Sequence, residues 1–103
     1  MEPGRIRHTV TFTLAHPEGS PEERGFLDAA RALGSIGGVE ASEVLAEVSP
    51  KNGFRYGISM EFADQAAYDR YNAHPQHVQF VEERWLKEVV DFLEVDYAAL
   101  SEW

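Results

Sequence analysis

A tyrosine and two histidines lie close together in the segment from Tyr71 to Phe80, where Tyr71 precedes His74 and His77. Histidine is the side chain best suited to proton transfer near neutral pH, and a tyrosine hydroxyl can hold a base or a substrate oxygen in place. Pro75 separates the two histidines and disfavours helical geometry in the residue before it, so the chain must kink there. Across this kink Tyr71 and His77 can approach one pocket, which makes them candidates for proton transfer or ligand binding.

A third histidine, His8, lies on a strand that the sequence marks clearly. From Arg5 to Leu14 apolar and polar residues alternate, which is typical of a half-buried strand. The alternation places His8 on the same face as Phe12, while threonines occupy the other face. His8 is therefore predicted to point into the core.

The remaining elements follow from periodicity and from helix and turn signals. Ser20 and Pro21 are typical of a helix start, Gly37-Gly38 can end that helix, and 49–53 is a turn that predicts a hairpin. In chain order, the predicted elements are a strand over 5–14, a helix over 21–36, strands over 39–48 and 54–62, a short helix after Asp64, a helix from Pro75 towards Val89 and a strand over 90–97.

The order of these elements is β-α-β-β-α-β, which is typical of the split βαβ, or ferredoxin-like, pattern. We therefore predict an α+β fold in one domain over 1–103, with a four-stranded antiparallel sheet and both helical regions on one face. The opposite sheet face is too polar for an ordinary core, so it is predicted to face water or to pair with another sheet. Its residues are Thr9, Thr11, Thr13, Arg55, Ser59 and Glu61.

The inward residues predict a small cavity between the sheet and the helices. Its polar groups would be His8, Tyr71 and His77, and a few polar groups in an apolar shell are the usual form of a site for a mostly apolar ligand. The apolar shell would comprise Phe12, Phe26, Tyr56, Ile58 and Trp85.

Two other interpretations of the histidines are open. A buried histidine can simply hydrogen-bond a backbone carbonyl, and His74 can cap the helix that Pro75 begins. His74 and His77, with His8 as a third ligand, could also hold a metal ion, but the sequence offers no obvious inward carboxylate to complete the set. Neither a metal nor a cofactor is therefore expected.

The composition excludes several classes of partner. The chain has nine Lys and Arg against eighteen Asp and Glu, a net charge of -9 that disfavours binding to nucleic acid and to anionic membranes. The acidic residues of the helices, including Glu23 and Glu88, are interpreted as solvated surface. Zero cysteines exclude disulfides, and no stretch has the apolar length of a signal peptide or a membrane span, so a cytoplasmic location is expected.

Three stretches together resemble the stress-responsive dimeric α/β-barrel (Dabb) family. They are Ile6 to Phe12, the Tyr-x-x-His-Pro-x-His-x-x-Phe pattern that begins at Tyr71, and Val89 to Phe92. The resemblance implies a ferredoxin-like protomer whose sheet packs against the sheet of a second copy. The polar sheet face would then be the interface of a homodimer.

The resemblance also implies roles for the site residues, because a plant polyketide cyclase of this family acts by aldol condensation. By this resemblance His77 would be the general base, Tyr71 would orient it or stabilise an enolate, and His8 and His74 would belong to the pocket. Tyr56 stands where that cyclase has a further pocket histidine. The leading hypothesis is a homodimer that binds a small apolar or aromatic molecule; the alternatives are a cofactor-free cyclase or lyase and a non-catalytic stress-protective oligomer.

Overall fold

The computed structural model describes residues 1–100 and has the predicted order of strands and helices. The strands are β1 (Ile6–Leu14), β2 (Glu40–Ala46), β3 (Tyr56–Phe62) and β4 (Val89–Ala98). The helices are α1 (Pro21–Ala32), α2 (Gln65–Ala73), α3 (Pro75–Phe80) and α4 (Leu86–Glu88), with a 3-10 turn at Leu33–Ser35 and a π-helical turn at Val81–Trp85. The predicted ferredoxin-like fold is confirmed.

The four strands form one antiparallel sheet in the order β2-β3-β1-β4, so β1 is central and β4 is an edge strand. Side chains alternate between the two faces of a sheet, and residues opposite each other on neighbouring strands share a face. Three rows therefore face the helices: His8 with Met60 and Asp96, Val10 with Ile58 and Glu94, and Phe12 with Tyr56 and Phe92. β4 thus places two carboxylates on the inner face.

The outer face of the sheet is less polar than the first and third strands alone indicated. Leu93 lies opposite Thr11, and Tyr97 lies opposite Arg7. Leu45 of β2 lies on the same outer face, opposite Gly57 of β3. Leu45, Leu93 and Tyr97 are 45%, 55% and 52% exposed, so this face presents apolar area among its threonines.

Aromatic rings form the centre of the core between the sheet and the helices. Phe12, Phe26 and Phe62 have no exposed surface. The ring of Phe26, on α1, lies 5.6 Å from that of Phe12 and 5.4 Å from that of Phe80. α1 begins as predicted, because the Ser20 hydroxyl accepts a hydrogen bond from the backbone N–H of residue 23 at 3.2 Å and Pro21 occupies the first turn.

Two helix ends differ from the prediction. α1 ends at Ala32 and tightens into a 3-10 turn, while Gly38, with φ of +94°, lies after this turn rather than at the helix end. The last helical region runs to Glu88 but contains the π-helical turn, where the N–H of Leu86 reaches the carbonyl of Val81. Such a turn adds one residue locally and rotates the side chains beyond it. Within residues 1–100, no helix has the length and apolar character needed to cross a membrane.

The interpretation of two acidic residues as solvated surface is wrong. Glu23 is 6% exposed, because its carboxylate turns back to accept the N–H of Gly19 at 2.9 Å in a capping arrangement. Glu88 is largely buried because its carboxylate binds Arg84 and His16, each at 2.6 Å. The contact between His16 and Glu88 joins the β1–α1 loop to the end of the last helical region.

Candidate functional site

A cavity of about 380 Å³ lies between the inner sheet face and the last helical region. Its walls are mostly apolar and include Val10, Ile58, Phe80, Trp85 and Phe92. The polar side chains on its lining include His8, Tyr71, Asn72, His77 and Glu94. The cavity borders the edge strand β4, on which Phe92 and Glu94 are exposed.

Four of the residues predicted for the site line this cavity together. His8 comes from β1, Tyr71 from α2, His77 from α3 and Trp85 from the π-helical turn. The kink at Pro75 turns the chain between α2 and α3, so Tyr71 and His77 face the same space despite lying on different helices.

The other three predicted site residues do not line the cavity. Phe26 lies behind it in the core, with its ring 6.1 Å from that of Trp85. Tyr56 packs against Phe12 with ring centroids 5.9 Å apart, and burial together with the neighbouring Glu23 carboxylate raises the pKa of Tyr56 to about 12. His74 accepts the N–H of residue 76 on its Nδ1 at 3.1 Å and begins α3, the capping role that the sequence left open.

His77 has a defined protonation pattern. Its Nδ1 lies 3.1 Å from the carbonyl oxygen of Asn72. A carbonyl can only accept, so Nδ1 carries the proton and Nε2 holds the basic lone pair. Burial is the main effect on the imidazole and lowers the pKa of His77 below its ordinary value. A neutral imidazole with a free Nε2 is the form that can remove a proton from a ligand.

Tyr71 stacks at a tilt against His77, with ring centroids 4.4 Å apart. The tyrosine is 2% exposed, and burial, with a smaller contribution from the negative charge of Glu94, raises the pKa of Tyr71 well above its usual value. Its hydroxyl is therefore protonated at neutral pH and can donate a hydrogen bond. Next to a basic imidazole, such a donor suits a carbonyl oxygen or the enolate that proton removal would create.

A second polar group at the cavity joins β1, β4 and α2. The carboxylate of Asp96 lies 2.7 Å from Nδ1 of His8 and accepts the hydroxyl hydrogen of Tyr68 at 2.8 Å. The Tyr68 hydroxyl also lies 3.0 Å from Nδ1 of His8. Because the carboxylate can only accept, Nδ1 of His8 carries a proton, and this bond orients the ring.

The site also contains four residues that were not predicted from the sequence: Tyr68, Asp96, Asn72 and Glu94. Tyr68 lies three residues before Tyr71, so helical spacing could have placed both on one face of α2. Phe92, Glu94 and Asp96 are every second residue of β4. A strand places every second side chain on the same face, so this period could have marked the two carboxylates as inward residues. The hydrogen bond to the Asn72 carbonyl has no signal in the sequence, because any residue carries that group.

The expectation that the site has no inward carboxylate, made for a possible metal ion, is wrong. Asp96 and Glu94 both lie on the inner face of the sheet. Within residues 1–100, no group of three or more histidine, aspartate or glutamate side chains is placed to hold a metal ion.

The lowered pKa of His77 can be measured directly. We expect His77 to titrate below the ordinary histidine value of about 6.5, because burial disfavours the imidazolium. The measurement is an NMR titration of the histidine Cε1–Hε1 signals, assigned with His77→Gln. The unfolded chain then takes up this proton at higher pH than the folded chain, so acidification below about pH 6.5 should destabilise the wild type relative to His77→Gln. A midpoint at or above 6.5 contradicts the prediction, and His74→Gln is the matched control.

The fold and sequence of this chain are similar to those of several solved proteins. A Dabb family protein from Mesorhizobium loti MAFF303099 is 56% identical with a TM-score of 0.92, over 95% of this chain and 99% of that one. A dimeric protein of unknown function from Bacteroides fragilis NCTC 9343 is 23% identical with a TM-score of 0.71, over 93% and 97%. A hydroxynitrile lyase from Passiflora edulis is 14% identical with a TM-score of 0.84, over 99% of each chain. The last two likenesses show the fold alone.

No curated protein matches the sequence. The family model described as the stress responsive A/B barrel domain, Dabb, matches residues 6–99. This range extends from the first residue of β1 to just beyond the end of β4 and includes all the cavity residues named above. The chain therefore belongs to the stress-responsive α/β-barrel (Dabb) family.

Proposed function

We propose that this protein binds a small, mostly apolar or aromatic molecule that carries a carbonyl group. The observation that carries the proposal is the cavity of about 380 Å³ with His77 and Tyr71 on its lining. Ligand sites in proteins usually have volumes of about 300–1,000 Å³, apolar walls and a few placed polar groups. Trp85 and Phe92 meet edge to face at 5.5 Å and offer aromatic surface to such a molecule.

The polar side chains support a carbonyl group on the ligand. Tyr71 can donate to a carbonyl oxygen, and the neutral His77 can approach the carbon next to it. A non-catalytic stress-protective oligomer, in which histidines only satisfy buried hydrogen bonds, accounts for the bonds of His74 and of the His77 Nδ1. It gives no reason for an open cavity with aromatic walls beside these residues, since protein interiors are normally close-packed.

The second candidate function is a cofactor-free cyclase or lyase that uses His77 as the general base. The observation that favours it is the hydrogen bond from His77 Nδ1 to the Asn72 carbonyl, which leaves Nε2 basic. In this mechanism Nε2 removes a proton from the carbon next to the ligand carbonyl, and the Tyr71 hydroxyl donates to the enolate oxygen. The hydroxynitrile lyase from Passiflora edulis shows that a lyase is built on this fold.

The homodimer is also a proposal, and the outer sheet face is its interface. Leu45, Leu93 and Tyr97 expose apolar area there, beside threonines that can bond across an interface. The similar protein from Bacteroides fragilis is dimeric. A second sheet packed on this face would bury both apolar surfaces, as in other two-sheet arrangements.

Binding to the cavity can be tested with acetophenone, a small aromatic ketone, by NMR titration of the backbone amides. We expect shifts confined to residues around the cavity. Val81 also lines the cavity, so Val81→Phe should weaken binding by about tenfold or more, because the added ring occupies the space of the ligand. Val78→Phe, on the exposed part of α3, is the matched control and should bind as the wild type does. Equal binding to both variants would contradict a ligand site in this cavity.

The catalytic alternative predicts turnover of a linear β-polyketone. Heptane-2,4,6-trione can close by aldol condensation to 5-methylresorcinol with loss of one water, which ultraviolet absorbance follows. If His77 is the base, His77→Ala should lower the rate by about 10²–10⁴-fold, the usual contribution of a general base. His74→Ala should stay close to the wild-type rate. A wild-type rate equal to that of buffer would reject this activity for the triketone.

The homodimer predicts a solution mass of twice 11.6 kDa at micromolar concentration, measured by sedimentation. Leu93→Glu should convert the dimer to a monomer, because it buries a charge in the proposed interface. Leu100→Glu places the same charge at an exposed position beyond β4 and should leave the mass unchanged. A monomeric wild type would refute the proposal.

A further inference from the structure

Glu94 introduces a carboxylate into a cavity whose walls are otherwise mostly apolar. It lies on the inner face of β4, opposite Val10 and between the rows of Asp96 and Phe92. Among residues 1–100, the lining of the cavity contains no lysine or arginine to neutralise it. The hydrogen bonds and ion pairs of side chains within this range do not include the Glu94 carboxylate, so its oxygens are free to accept.

Asp96, the other inner carboxylate of β4, differs from Glu94 in this respect. One oxygen of Asp96 is occupied by His8 and the other by the Tyr68 hydroxyl. The negative charge of Glu94 acts on the site as a whole, and it contributes to the raised pKa of Tyr71. Asp96 is also not among the residues that line the cavity, so Glu94 is the carboxylate on the described lining that can accept a hydrogen bond from a ligand.

We propose that Glu94 selects the ligand, and that the ligand is a neutral carbonyl compound with a hydroxyl group rather than a carboxylate. This proposal rests on the proposed ligand-binding function. The carbonyl oxygen meets Tyr71, and the hydroxyl donates to Glu94. The ligand class is thus a hydroxylated aromatic or alicyclic ketone or aldehyde.

The chemistry of a carboxylate gives this selection. An ionised glutamate can only accept hydrogen bonds, and a hydroxyl donor forms a charge-assisted bond with it that is roughly twice as strong as a neutral one. A ligand carboxylate would instead lie beside the negative charge of Glu94, and the described part of the lining has no lysine or arginine to offset it. Repulsion between these like charges disfavours the anion, although less than at a buried site, because Glu94 is exposed on β4.

The test compares three probes of similar shape: 4-hydroxyacetophenone, 4-methoxyacetophenone and 4-acetylbenzoate. Dissociation constants are measured at neutral pH by NMR titration of the full chain. The wild type should bind the hydroxy compound about tenfold more tightly than the methoxy compound, because only the former donates a charge-assisted hydrogen bond. It should bind the benzoate weakest of the three.

Substitution of Glu94 should change the order of the probes. Glu94→Leu should remove the preference for the hydroxy compound and tighten binding of 4-acetylbenzoate, and Glu94→Gln should give the intermediate result, because an amide still accepts but carries no charge. Glu82→Leu is the matched control on the exposed surface of the last helical region and should keep the wild-type order.

The outcomes separate this inference from the proposed function. Wild-type binding of the hydroxy and methoxy compounds with equal affinity, or a preference that survives in Glu94→Leu, overturns the role of Glu94 while leaving the ligand site in place. Failure of all three probes and of acetophenone to bind the wild type overturns both proposals. A wild-type preference for 4-acetylbenzoate overturns the selection against anions.

Discussion

The alternation of side chains along β1 is the constraint on which the rest of the structure depends. β1 is hydrogen-bonded on both sides, and a shift of one residue in its register would turn His8 and Phe12 to the outer face. Burial of Phe12, which has no exposed surface, stabilises the observed register of β1. The contact between His8 and Asp96 on the same face also stabilises it. One strand therefore positions the aromatic core and the polar end of the site together.

The order of elements and four of the cavity residues could be predicted, because both follow from local periodicity. His8 is inward because β1 alternates, and Trp85 is inward because it continues the helical row of His77. The same reasoning also placed Phe26 and Tyr56 at the site. Periodicity says which residues point inward, but it does not say which of them border empty space and which pack against other side chains.

The remaining features depend on contacts between distant parts of the chain. His8 and Asp96 are 88 residues apart, and their contact requires the register between β1 and β4, which neither strand encodes alone. Trp85, at the end of the π-helical turn, packs its ring 5.2 Å from that of Phe12 and 5.5 Å from that of Phe92, and contacts between such distant residues leave no local signal in the sequence. Glu88 was assigned to solvent for the same reason, since its partner His16 lies in a loop far along the chain.

The position of β4 at the edge of the sheet has a consequence for aggregation. An edge strand exposes unpaired backbone N–H and C=O groups, and an apolar edge can recruit strands from other molecules. β4 carries Val90, Phe92 and Leu93 in exposed positions, yet Asp91, Glu94 and Asp96 alternate among them. Inward charges on an edge strand are a known defence against such pairing. The inward carboxylates of β4 therefore also protect the edge of the sheet. Replacing them with apolar residues to change which ligands bind would lower the solubility of the protein.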